Sequence, residues 1–186
     1  MKILAIGDIV GEKALEKVEK VLPELIKNES IEFVIANGEN IVEARGINKQ
    51  SFERLIEVGV NAVTMGNHTY SNKGIYEIDD SRLIIPVNYS KDTIDKVSVV
   101  YGTHTHIQTA DEKIINSGEG FISDIGMCGP VNSGIGYDLD FEVKRYKEEL
   151  EDDSKLSNDT NCIFSACMFE IDNNTGKTLT IKRILM

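Results

Sequence analysis

Asp8, Glu39, Asn40, Asn67, His68, His104 and His106 are the residues through which this chain can do chemistry. They lie in four short polar clusters: Gly7-Asp8, Asn37-Gly38-Glu39-Asn40, Gly66-Asn67-His68 and Gly102-Thr103-His104-Thr105-His106. Each cluster ends an apolar run that reads as a buried strand, over residues 3–6, 33–36, 62–65 and 97–101. Carboxylate, amide and imidazole groups at successive strand ends can converge on one point. Such oxygen and nitrogen donors, without a thiolate, suit a non-thiolate transition-metal site. The chain has three histidines and all of them fall within these clusters, a placement that chance rarely produces. In an extended His-x-His segment the two rings project to the same side, so both can face a metal pair.

Taken one at a time, the clusters have plainer readings. Asp8 precedes Gly11 near a helix start, where an aspartate commonly serves as a turn or cap residue. Asn37-Gly38 can be an ordinary solvated turn, and His68 a satisfied surface histidine. Within a site the same residues gain roles. A carboxylate such as Glu39 can bridge two cations, and an amide oxygen can ligate one. His68 can ligate or act as a general acid toward a leaving alkoxide. Gly66 lets the backbone come close.

Alternating strands and helices must position these groups. Strands are expected over 2–8, 31–36 and 60–65, and helices over 11–27 and 48–58. Leu15, Val18, Val21, Leu22 and Leu25 recur at helical spacing in the first helix. Pro23 is expected to kink that helix or end it early. Gly59 is placed to cap the second helix. A short helix over 75–79 and a strand over 82–87 follow. Continuous apolar strands in βαβαβ order imply a parallel sheet covered on both faces. Ligands of such sheets bind outside the strand C-termini, where all four clusters lie. Beyond Gly102, short antiparallel strands are expected over 113–115 and 120–125, and an exposed helix over 138–150. The polar stretch 151–161 reads as a mobile loop. A hairpin over 162–185 turns at Asn173-Asn174-Thr175-Gly176.

The totals bound the class. With 186 residues, 41% hydrophobic and 27% charged, the chain reads as a single soluble domain over 1–186. No secretory segment or membrane span is expected, which makes cytoplasmic residence the default. A net charge of −11 disfavours non-specific duplex nucleic-acid binding but leaves room for a small nucleotide. Cys128, Cys162 and Cys167 form neither a disulfide framework nor a CxxC motif, and read as buried reduced thiols. Arg45 and Lys49 could touch a phosphate, Tyr70 and Tyr137 could stack on a base, and Asp111 could orient a histidine. Each of these also has an ordinary surface, packing or turn role.

The segments KILAIGDIVG, FVIANGEN, GVNAVTMGNHTY, VVYGTHTHIQTADE, FISDIGMCGP and NTGKTLTIKRI resemble the YmdB-type branch of the calcineurin-like metallophosphoesterase superfamily. GDIVG together with NGEN is the more specific pairing. The resemblance implies a layered α/β/β/α sandwich with parallel N-terminal strands and an antiparallel C-terminal hairpin. It implies a hydrolase: a phosphodiesterase acting on small phosphodiesters, notably 2′,3′-cyclic nucleotides, by a metal-bound hydroxide. Two iron or manganese ions are implied. Asp8, Asn40 and His106 would hold one, Asn67 and His104 the other, and Glu39 would bridge them. His68 would protonate the leaving oxygen or steady the transition state, and homo-oligomers are expected.

One departure from that pattern bears on activity. Where relatives carry a substantial segment with another histidine ligand, this chain has only residues 90–98 and no histidine there. The second metal position is therefore expected to be weak or empty, and sheet edges left by the shortening are expected to be exposed. An enzyme on a shortened sandwich and a catalytically weak, metal-binding or regulatory relative are both open on the sequence.

Overall fold

A computed structural model describes residues 1–85, 97–148 and 154–186. Its centre is a six-stranded sheet. Strands β1 (Lys2–Ile6), β3 (Phe33–Asn37), β4 (Ala62–Thr64) and β5 (Leu83–Ile84) run parallel, neighbour to neighbour. On the other side of β1, β11 (Ser165–Ile171) and β12 (Thr178–Leu185) add antiparallel, completing the order β12-β11-β1-β3-β4-β5. The expected parallel N-terminal strands and C-terminal hairpin are both present. The hairpin turns through Gly176, whose φ of +71° suits glycine.

Side chains alternate between two cores, as the two-residue period of a strand requires. Leu4 and Ile6 of β1, with Ala166 and Met168 of β11, face one core. It is closed by α1 (Gly11–Glu29) and α2 (Lys49–Glu57). Ala5, Cys167 and Phe169 face the other side and meet Ile122 and Ile125.

Of two small sheets, one covers that second side and the other packs beside α1, with Ile9 and Cys128 in the first core. One comprises β6 (Val99–Tyr101), β8 (Gly120–Ile122) and β7 (Lys113–Ile114), the last two being the antiparallel pair expected there. The other comprises β10 (Cys162–Ile163), β9 (Met127–Pro130) and β2 (Asp8–Ile9). Helix α3 (Leu139–Lys147), capped by Asp138, buries none of its residues, in keeping with the exposed helix expected there.

Several local expectations are corrected. Helix α1 runs through Pro23 and ends two residues later than expected, at Glu29. Pro23 is exposed while Leu15, Val18 and Leu22 are fully buried, so the hydrogen bond that proline removes is on the solvent side and core packing carries the helix across it. The strand read over 97–101 is only half-buried: Val100 faces solvent. Residues 154–161 are not a free loop. Leu156 packs with Val10, Ala44 and Met127, and Ser157 donates its N–H to the Gly136 carbonyl at 3.0 Å. The rest of that acidic stretch lies outside the described residues, as does the end of the helix read to 150. The junction at 90–98 falls almost wholly outside them too. Beside it β5 pairs only with β4 among the described residues, and Ile84 and Ile85 are exposed, as an edge left by shortening would be.

Candidate active site

The chain places Asp8 by crossing between layers. After β1 the backbone leaves the main sheet: Gly7 donates to the Ser165 carbonyl at 3.0 Å and Asp8 to that of Gly126 at 3.1 Å. A Cβ on Gly7 would lie 2.6 Å from the Gly126 carbonyl carbon, so glycine is needed where the two backbones touch. Asp8 arrives completely buried.

The other clusters close around it. At the end of β3, Asn37 donates from Nδ2 to Asp8 Oδ1 at 2.7 Å, to Glu39 Oε1 at 3.3 Å and to Thr103 Oγ1 at 3.1 Å. Its own Oδ1 accepts from the Glu39 N–H at 3.1 Å. Asn40 Nδ2 donates to Asp8 Oδ1 at 3.2 Å. The turn after β4 meets Glu39: the His68 N–H donates to Oε2 at 3.0 Å. A Cβ on Gly66 would stand 2.6 Å from that oxygen, so here again glycine admits the approach. From the loop after β6, the His104 N–H reaches Asp8 Oδ2 at 2.9 Å.

His106 presents the most telling geometry. Its Nδ1 lies 2.9 Å from the Ile135 carbonyl, which can only accept, so Nδ1 carries the hydrogen. This turns Nε2 toward Asp8 Oδ2, 3.7 Å away. Nε2 and Oδ2 are both metal-ligating atom types, and they face each other across a gap of the size a shared cation needs. Glu39 and Asp124 are buried nearby, and none of these three carboxylates pairs with a lysine or arginine among the described residues. Burial pushes the Asp8 carboxyl above its ordinary value. The Glu39 and Asp124 charges add to the rise, while the hydrogen bond from His104 and the charge of His106 oppose it. The donor set therefore suits a divalent cation. No three His, Cys, Asp or Glu side chains among the described residues already surround a common point.

The seven sequence-derived residues are thus brought together unequally. Asp8, Glu39, Asn40 and His106 converge. His68 joins through its backbone, with its ring Nδ1 3.4 Å from Ser71 Oγ. His104 joins through its N–H alone, and the side chains of Asn67 and His104 face solvent. The His-x-His segment is not extended. His104 and His106 have φ of +99° and +64°, so the expected same-side display of alternate rings does not apply. The cause is Asp124, whose Oδ2 accepts from both the N–H and the hydroxyl of Thr105, at 2.9 and 2.8 Å, and pulls the loop into a turn.

Asp124 and the donor role of Asn37 were not evident from the sequence. Asp124 follows the apolar run of β8 just as Asp8 follows that of β1, and that resemblance was the available signal. Asp111 does hold a turn: hydrogen bonds from Ser123 and Thr109 hold its carboxyl down at about 2. The three cysteines are buried and unpaired, and burial pushes the Cys128 and Cys167 thiols up to about 12, so they supply no thiolate. Asp124→Asn should lose an acceptor, because the new amide turns a donor toward Thr105 or Gly126. Chemical denaturation should show about 1–3 kcal/mol of lost stability, the typical cost of an unsatisfied buried group. An unchanged midpoint would remove Asp124 from its role as the clamp of this loop.

Comparison with known proteins agrees with this architecture. The chain is 28% identical to the 2′,3′-cyclic-nucleotide 2′-phosphodiesterase of Bacillus subtilis (strain 168), covering 100% of this chain and 97% of that protein. That alignment runs over 257 positions against 186 residues here, so the relative carries internal positions that this chain lacks. Two solved structures share the fold. A crystal structure of a phosphatase from Mycoplasma pneumoniae superposes with a TM-score of 0.91 at 22% identity, covering 100% of this chain and 93% of that one. A protein of Thermus thermophilus gives 0.88 at 22% identity, covering 100% and 99%. A family model described as YmdB-like protein matches residues 4–96 and 93–184, two segments that meet where the shortening was expected. The chain is a member of the YmdB-like protein family.

Proposed function

We propose that the protein is a metal-dependent phosphodiesterase that hydrolyses 2′,3′-cyclic nucleotides. The observation that carries this reading is the buried Asp8 carboxylate facing Nε2 of His106 at 3.7 Å, with Glu39 close by and no lysine or arginine paired with either carboxylate among the described residues. Asp8, Asn40 and His106 would hold one cation, Asn67 and His104 a second, and Glu39 would serve both. Iron and manganese fit this donor set. When bound, such cations polarise phosphoryl oxygens and make water a nucleophile at neutral pH.

The chain's own groups prepare the rest. Asn37 and Asn40 fix Asp8 Oδ1, and the His104 N–H fixes Oδ2, so the carboxylate is oriented before any ligand arrives. The His68 N–H is tied to Glu39, which fixes the backbone that carries its ring. Ser71 Oγ beside Nδ1 leaves Nε2 to give a proton to the ribose oxygen as its bond to phosphorus breaks. Oxygen from water takes the place of that ribose oxygen on phosphorus. Cytoplasmic residence belongs to the same reading, supported by three cysteines that are all free.

A second reading, a metal-binding relative without effective turnover, is favoured by the internal positions missing relative to the B. subtilis protein. An assay of manganese-loaded protein with 2′,3′-cyclic AMP separates the two. Turnover that a chelator abolishes is the expected result. Metal uptake without turnover would establish the second reading, and failure to take up metal would remove both.

A further inference from the structure

We propose that the cavity walled by Arg45, Ser71, Asn72 and Tyr137 is a subsite for a second phosphate and the attached nucleoside, so that the preferred substrates are 2′,3′-cyclic phosphates carrying a further 5′-phosphate group. This deepens the phosphodiesterase reading and rests on it.

The cavity holds about 510 Å³, enough for a nucleotide. Its walls reach the candidate centre from two sides. Ser71 contacts the His68 ring, at 3.4 Å. Tyr137 stands two residues from Ile135, whose carbonyl holds His106. A substrate with its phosphodiester between those histidines has this space beside it.

The lining chemistry matches what a nucleotide presents. Among the described residues Arg45 is the only basic side chain on the walls, which Glu43 also lines. Arg45 is exposed and forms no ion pair among the described residues. Its backbone is nevertheless fixed, with its N–H on the Val42 carbonyl at 2.8 Å, in a turn where Glu43, Ala44 and Gly46 all have positive φ. A guanidinium on a rigid turn offers paired donors to a phosphate. Tyr137 packs against the cluster of Val10, Ala44 and Met127 and gives a base an aromatic partner. Asn72 accepts from the Gly74 N–H at 2.8 Å through Oδ1, leaving its amide hydrogens as donors. In a chain with net charge −11, an arginine beside the site that forms no ion pair among the described residues is where a second phosphate would be held.

Isothermal titration calorimetry of the manganese-loaded protein tests this with adenosine 3′-monophosphate, adenosine 3′,5′-bisphosphate and the dinucleotide ApAp. The parent should bind the bisphosphate about tenfold more tightly than the monophosphate, and Arg45→Ala should erase that preference. ApAp binding more tightly than the bisphosphate would mark an RNA end as the source of the second phosphate. Equality between these two would mark a mononucleotide. Equal affinities of the parent for mono- and bisphosphate, a preference that survives Arg45→Ala, or no binding at all overturns the subsite. Turnover of 2′,3′-cyclic AMP by the same preparation is read in parallel, so loss of the subsite alone is distinguished from loss of the phosphodiesterase reading.

Discussion

Glu39→Gln is expected to lower kcat on a cyclic phosphodiester by about 10³-fold while the protein stays folded. Glutamine has nearly the shape of glutamate, so the effect reports charge and hydrogen-bond polarity. Both Glu39 oxygens accept in this structure, one from Asn37 Nδ2 and the other from the His68 N–H. An amide at this position must turn its NH₂ toward one of those donors, and it removes the carboxylate proposed to serve both cations. Losing several kcal/mol of transition-state charge stabilisation corresponds to about three powers of ten. Fold stability should fall by about 1–3 kcal/mol, as for Asp124→Asn, since a donor is again turned toward a donor. His68→Ala is the companion measurement. It should cost about 10²-fold in kcat, within the usual range for a general acid, and leave metal uptake intact. A Glu39→Gln protein retaining turnover within about threefold of the parent would falsify the assignment of Glu39 to the centre.

What could be seen in the sequence was whatever short-range pattern determines. The apolar runs ending at Asp8, Asn37 and Met65 mark strands because a sheet buried on both faces needs continuous apolar side chains. Their polar ends converge because parallel strands deliver their C-termini to one edge of the sheet. Asn48 and Gly59 bracket α2 as the capping rules require: Asn48 accepts from the Ser51 N–H at 2.9 Å, and Gly59 has φ of +105°. What stayed hidden depends on contacts distant in the chain. Asp124 bends the His-x-His loop from 19 residues away, and Leu156 is held down by side chains from three other segments. Arg45 and Tyr137 become neighbours only after two loops meet over the site. The continuity of α1 through Pro23 likewise depends on which side of the helix the core occupies.

Manganese should raise the melting temperature of the parent by about 5–10 °C at a free concentration about a hundredfold above its dissociation constant, and should leave Asp8→Asn unmoved. Binding to the folded chain alone contributes about 2.7 kcal/mol at that excess, and each kcal/mol is worth about 2–4 °C in a domain of this size. Asp8 is the residue to change because its carboxylate is fully buried, lies 3.7 Å from His106 Nε2 and is held by three N–H donors. Asparagine there keeps the volume but faces the His104 N–H or the amides of Asn37 and Asn40 with a donor of its own. The proposed second position should behave differently. Its side chains Asn67 and His104 are exposed, and the internal positions missing relative to the B. subtilis protein leave it fewer groups to draw on. Calorimetric titration should therefore give one tight manganese per chain and a second at least about tenfold weaker, since partly assembled coordination loses affinity on that scale. Two equal sites would mean that Asn67 and His104 turn inward once a cation is bound. An Asp8→Asn protein still stabilised by manganese would move the tight site away from the His106 pair.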